Sequence, residues 1–436
     1  MGKQNKNIKE NRMQKKALII GIDGVPFGLT TRMMEQGYMK ELKRICDEGY
    51  LVHKMRASYP DISSVSWTSF MTGANPGEHG IFGFTDLKPN SYDLYFPNSR
   101  DIKAPTFWQV LREQGKANRA LVLNIPNTYP AFPIDGLLVS GFVAIDFTKA
   151  VYPPSYIAPL QRMGYIIDVD LMKVREDKDA FYQDLVESLA IRQNVSKKLI
   201  TEEEWDISVI CVTETDRLHH FFYDKKDSIV FQDFYKRVDA FIANIYRAFE
   251  AKYGKEFLFL ILSDHGFTEQ ITEVNLNAYL KDKGFLVTNE NREYYDKIDN
   301  GTTAFAMDPG RIYIHHEKKF PRGQVKPSEV EQVKDRVKGA LLGLTDVKGT
   351  KVIREILSKD DIYSGPYYDN APDLICISHE GYDLKGNLRK KEVFSSDIFK
   401  GMHTGDDATL IAPKGVSFDR QVTIEDPARI IIDYFS

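Results

Sequence analysis

Short apolar runs of six to eight residues recur along the chain with helix-patterned segments between them, and this alternation constrains the fold most. The runs are ALIIGID (17–23), RALVLN (119–124), GLLVSG (136–141), ISVICVT (207–213), FLFLILSD (257–264), RIYIHH (311–316), DLICISH (373–379) and ATLIAP (408–413). Continuous rather than alternating apolarity reads as strands buried on both faces, as in a parallel sheet. Between two of these runs, Phe231, Phe234, Val238, Phe241, Ile242, Ile245 and Phe249 recur at helical spacing, and a second helix is expected over about 180–200. Strands alternating with helices predict an α/β fold with a mostly parallel central sheet covered by helices on both faces.

Residues 284–400 are richer in charge, proline, glycine and tyrosine and less regular, which predicts a smaller cap inserted into a single domain over 17–436. The first sixteen residues, MGKQNKNIKENRMQKK, read as a flexible basic tail. An apolar content of 42% and an aromatic content of 12% supply a substantial core. A formal charge of −4 argues against a nucleic-acid polymer or an anionic membrane surface as partner. No apolar window reaches the ~18 residues of a membrane span. Cys46, Cys211 and Cys376 lie far apart and form no CxxC pair, so a reducing, cytoplasmic setting is expected. Nothing in the sequence indicates an oligomeric state.

Ligands of open α/β sheets bind beyond the carboxyl ends of the strands. At those ends stand Asp23, the segment TETDRLHH, the pair Asp264–His265 and, late in the chain, His403 in GMHTG. Asp216 and His220 are four apart and share a helical face, whereas His219 points elsewhere. Singly, these residues read as turn formers, caps or surface pairs; their weight comes from falling together at strand ends. GIDGVPFG lacks GxGxxG and the chain has no GK[ST], which disfavours dinucleotide and P-loop readings. An acid at that edge would repel a pyrophosphate, whereas it would hold a metal cation. In YPDISSVSWTSFMTGANPGEHG (59–80), Ser63 and Ser64 lead into a short apolar helix. Serine there is first an N-cap. A hydroxyl at a helix N-terminus also sits in positive potential beside free N–H groups that suit phosphate oxygens. A neighbouring divalent metal would let it ionise and act as a nucleophile.

IDG, a hydroxyl residue ten positions before Gly73 in SSVSWTSFMTG, then NPGEHGI, DRLHH, SDHG and GMHTG occur in one order. This order resembles the alkaline phosphatase superfamily and, within it, the type I phosphodiesterase/nucleotide pyrophosphatase family, from about residue 17 to 413. The resemblance implies an alkaline-phosphatase-like α/β fold and two divalent cations, zinc or alternatively manganese. It implies that Asp216, His220 and His403 hold one cation, and that Asp23, Asp264, His265 and the nucleophile's oxygen hold the other. The nucleophile falls on Ser63, with Ser64 as the alternative, and the reaction runs through a phosphoserine. The substrate would be a small phosphate ester or nucleotide.

Two departures bear on substrate class. Serine stands where many nucleotide pyrophosphatases have threonine, and Phe82, Gly83 and Phe84 occupy the stretch where they carry an oxygen-binding asparagine. No arginine follows the nucleophile as in alkaline phosphatases, and the sulfatase pattern C/S-x-P-x-R is missing. Arg100, Lys103, Asn124 and Tyr129, with Asn127, are therefore candidate substrate-binding residues. A phosphomonoesterase, a phosphate-transferring mutase and an inactive metal-binding relative are the alternatives. His53, His79, His315, His316 and His379 read as structural.

Overall fold

The computed structural model describes residues 14–436. The basic tail expected over 1–16 lies outside the described residues as far as residue 13. Its last residue is tied down: Lys16 Nζ lies 2.8 Å from Asp206 Oδ1, and its carbonyl accepts from Leu258 N.

A nine-stranded sheet forms the centre, in the spatial order Val422–Thr423, Tyr50–Arg56, Ala408–Pro413, Leu258–Leu262, Ala17–Ile22, Ile207–Val212, Ala120–Ile125, Gly136–Ser140 and Val151–Tyr152. The five strands from Leu258–Leu262 to Gly136–Ser140 are mutually parallel. Ala17 pairs with both Ile207 and Leu258, so three central strands run in step. Their carboxyl ends are therefore level, and the residues just past each strand emerge along one edge.

Side chains alternate between the faces of a strand. Leu18, Ile20 and Ile22 accordingly join one apolar cluster and Ala17 and Ile19 another. The first cluster takes in the long helices Lys178–Glu202 and Ile229–Tyr253, the second the helices Ser63–Thr72, Phe107–Glu113 and Asp426–Phe435. Helices thus cover both faces.

Three apolar runs are arranged otherwise than in a simple alternation. RIYIHH and DLICISH build a separate four-stranded antiparallel sheet, ordered Ala304–Met307, Arg311–Ile314, Leu374–Ser378 and Ile353–Ser358. This sheet and the helix Val330–Leu342 share an apolar cluster that includes Phe305, Ile312, Val337 and Leu374. ATLIAP does return to the central sheet, but antiparallel to both neighbours. Tyr50–Arg56 is a strand that the apolar pattern does not reveal, because it is largely half-exposed and has no continuous apolar run. Among the described residues no helix is long and apolar enough to cross a membrane, and all three cysteines are buried and unpaired.

Candidate active site

The strand Ala17–Ile22 delivers Asp23, and Leu258–Leu262 delivers Asp264 and His265. Gly24 adopts φ +66°, where a Cβ would stand 2.7 Å from the Phe267 ring. That conformation turns its N–H onto Asp264 Oδ1 (3.0 Å) while its carbonyl accepts from His219 Nδ1 (2.8 Å). His219 is fully buried and also bonds Tyr235, so it braces the loop, as expected for the histidine facing away from Asp216. Trp67 Nε1 donates to Asp23 Oδ2 at 3.1 Å. The outer oxygens of both carboxylates are thus held by the protein.

The inner ones are not. Asp23 Oδ1, Asp264 Oδ2 and Asp216 Oδ1 are all buried without a hydrogen-bond partner among the described residues. His265 Nε2 lies 3.3 Å from Asp264 Oδ2 and 3.8 Å from Asp23 Oδ1. In the other group, Asp216 Oδ1 lies 3.3 Å from His220 Nε2 and 3.5 Å from His403 Nε2. Asp216 and His220 share one face of the helix Glu214–Phe222, and His403 comes from Gly401–Thr404, which pairs antiparallel with Gly266–Glu269. Both sets of three bring their ligand atoms within 4.8 Å of one another. The His265 and His403 rings stack at 3.6 Å, joining the sets.

The imidazoles are oriented from behind. His265 Nδ1 donates to the Gly266 carbonyl (3.0 Å) and His403 Nδ1 to the Asp61 carbonyl (3.1 Å), which leaves Nε2 of each free to ligate. Burial, with the Asp264 and Asp216 carboxylates close by, raises Asp23 well above the usual carboxylate range. Burial likewise pushes Asp264 up to about 6. Asp216 is held low: its burial is outweighed by the His220 and His403 imidazoles and by Arg217. A bound cation would stabilise such buried, partnerless oxygens as carboxylates facing the imidazoles. The donor set of carboxylate and imidazole, without thiolate, fits divalent zinc or manganese.

Ser63 opens the helix Ser63–Thr72, with Ile62 extended before it. Its Oγ lies 3.2 Å from His265 Nε2, and it lines a cavity of 190 Å³ together with Asp23, Asp216, Arg217, His220 and His403. Ser64 is 1% exposed, its Oγ has no partner among the described residues, and it lines neither this cavity nor the next. That second cavity, of 360 Å³, shares Phe84, His220, Phe399 and His403 with the first. Its far wall is the small sheet, through Ile375–Ser378, and the strand Tyr382–Lys385.

Asp23, Ser63, Asp216, His220, Asp264, His265 and His403 therefore converge. The four expected substrate-binding residues do not join them. Arg100 and Lys103 are exposed and line neither cavity. Asn124 is fully buried, and its amide donates to Thr213 Oγ1 at 3.0 Å. Tyr129 packs against the core, and Asn127 donates to Thr68 Oγ1 at 2.9 Å. Asn124 and Asn127 stand at and just past a strand end, as anticipated, but their amides are engaged inside the scaffold. His79 is structural as read, buried with Nε2 3.0 Å from Ser69 Oγ.

Sequence reasoning missed Trp67, the Asp61 carbonyl, and the pair Arg217–Asp168. Arg217 was visible beside Asp216, but its partner lies 49 residues away. A main-chain carbonyl leaves no residue-type signal at all.

In overall architecture the chain is similar to phosphonoacetate hydrolase from Sinorhizobium meliloti 1021 in complex with phosphonoacetate, with a TM-score of 0.66, 15% identity, and 97% of this chain and 96% of that chain covered. It is similar to murine ectonucleotide pyrophosphatase/phosphodiesterase 5, with a TM-score of 0.56, 13% identity and 97% and 95% coverage. For wild-type alkaline phosphatase PafA the TM-score is 0.59, with 15% identity and 97% and 96% coverage. Identities this low establish the alkaline-phosphatase-like fold alone. The chain has no match among curated protein sequences. The family model for Type I phosphodiesterase/nucleotide pyrophosphatase matches residues 17–406, nearly the whole chain. The chain belongs to the type I phosphodiesterase/nucleotide pyrophosphatase family.

Proposed function

We propose that the protein hydrolyses small phosphate diesters or nucleotide pyrophosphates with two divalent cations and a phosphoserine on Ser63. Family membership supports a phosphoester hydrolase. The single observation that carries the finer reading is the set of three buried, partnerless carboxylate oxygens on Asp23, Asp264 and Asp216, grouped beside the Ser63 hydroxyl. Asp23, Asp264, His265 and Ser63 would hold one cation and Asp216, His220 and His403 the other. When bound, the cations supply the charge that lowers the serine pKa and offsets developing charge on the attacking and leaving oxygens.

The chain's own groups do the rest. Ser63 Oγ forms a bond to phosphorus as the bond to the leaving oxygen breaks, and water then cleaves the phosphoserine. The Ser63 and Ser64 N–H groups that open the helix Ser63–Thr72, which have no partner in the helix, would be available to phosphoryl oxygens. The 360 Å³ cavity accommodates the leaving group between the site and the small sheet, so the cap region would set specificity.

Ser63→Ala tests this directly. Turnover of bis-p-nitrophenyl phosphate by the zinc- or manganese-loaded protein is expected to fall about a thousandfold or more, with Ser64→Ala close to wild type. Unchanged turnover in Ser63→Ala sinks the nucleophile. The absence of a polar side chain over Phe82–Phe84 favours a second reading, a phosphomonoesterase or phosphate-transferring mutase. Preference for p-nitrophenyl phosphate over the diester and over dinucleotides would select it.

A further inference from the structure

We infer that Arg217 binds a non-bridging oxygen of the substrate's phosphoryl group, with Asp168 as the residue that positions it. The inference rests on the phosphoryl-transfer reading of the site.

A phosphoryl group in transfer spreads charge over its equatorial oxygens, and each needs a positive or N–H partner. The 190 Å³ cavity beside Ser63 contains one permanently charged cation among its lining residues, Arg217. Besides the Ser63 nucleophile, the other side chains there are acceptors, imidazoles already assigned to the clusters, or apolar, apart from Thr213, whose hydroxyl receives the Asn124 amide.

Arg217 is 8% exposed, and its guanidinium is held in one orientation. Nε lies 3.1 Å from both Asp168 oxygens, Nη2 2.6 Å from Asp168 Oδ2, and Nη1 2.6 Å from Asp216 Oδ2. The Phe142 ring lies 4.5 Å from its Cζ. A guanidinium carries five N–H groups. These contacts engage three, leaving one on Nη1 and one on Nη2 without a protein partner among the described residues. Asp168 occupies the Nε/Nη2 fork and so fixes the orientation of a guanidinium that keeps two further N–H groups for an oxyanion.

A purely structural role would move metal retention; an oxygen-binding role moves phosphate affinity. Equilibrium dialysis of radiolabelled inorganic phosphate against the zinc-loaded full-length chain, with zinc measured on the same samples, separates them without turnover. Arg217→Gln is expected to keep its zinc while phosphate Kd rises about tenfold or more, and Arg217→Lys, which keeps charge but not the fork, to fall between. Asp168→Asn, which leaves the arginine in place, is expected to weaken phosphate severalfold with zinc retained, and carries the test if Arg217→Gln does not fold. Phosphate affinity within twofold of wild type in the zinc-retaining variants overturns the assignment. So does loss of zinc that accounts for the whole loss of phosphate binding. A wild type that holds zinc but binds no phosphate overturns the phosphoryl-transfer reading itself, an outcome distinct from a failure of Arg217 alone.

Discussion

Asp23, Asp264 and His265 stand directly on the ends of two central parallel strands, whereas Asp216 and His220 stand on a helix and His403 on a two-stranded antiparallel ribbon beyond the sheet. The first group is closed: Asp264 and His265 are 0% exposed and Asp23 2%. The second opens to the cleft, with the His220 and His403 side chains 21% and 19% exposed. Strand ends in a stepped parallel sheet cannot shift without moving the core. A short helix and a two-stranded ribbon can, and this is the side on which both cavities meet. The buried group, with Ser63 beside it, therefore reads as the fixed half of the centre and the open group as the half that borders the larger cavity.

The largest expected effect lies in the buried group. Asp264→Asn should remove its cation and lower kcat/KM by roughly a thousandfold or more, checked by metal analysis and diester kinetics. Full metal content in that variant would break the comparison outright. His403→Ala should lose only the open-side cation, so that metal content falls from two per chain to one; loss of both would show the groups to be one unit. Chelator titration of the wild type should be biphasic, the open group emptying first. Thermal stability should then fall mainly in the second phase, by about 2–3 kcal/mol for cation present at a hundredfold excess over its Kd. A single phase would erase the distinction.

Smaller still is the packing behind the buried group. A Cβ on Gly21 would stand 2.5 Å from Trp67 Cη2, and that indole is what holds Asp23. Gly21→Ala should lower stability by about 1–3 kcal/mol in chemical denaturation. Trp67→Phe, which removes the N–H on Asp23 Oδ2, should weaken cation binding by roughly 1 kcal/mol. An effect of Trp67→Phe on the open group instead would reverse the proposed division.

The parallel strands were legible because burial on both faces leaves an unbroken apolar run, as in ALIIGI and FLFLIL. Their ends were legible for the complementary reason, since an acid or imidazole there is anomalous unless chemistry needs it. Tyr50–Arg56 escaped notice because a half-exposed strand tolerates His53, Lys54 and Arg56. Arg100 and Lys103 have the chemistry of phosphate ligands, but composition does not say where a loop runs, and theirs leaves both side chains exposed and outside the two cavity linings. Asn124 is placed at a strand end as anticipated, yet its amide faces Thr213.

Residue type and order along the chain were enough for the fold class and the family resemblance, and the resemblance supplied the residues expected at the centre, with Ser63 and Ser64 both open as nucleophile. These depend on period, on strand ends and on local spacing, all of which are one-dimensional. Only the folded chain decided that Ser63 rather than Ser64 faces the cavity, that Asp61 and Trp67 brace the ligands, and that Asp168 reaches Arg217 across 49 positions. Those are matters of side-chain direction and long-range contact, and they exist only once the sheet has brought distant segments within hydrogen-bond reach.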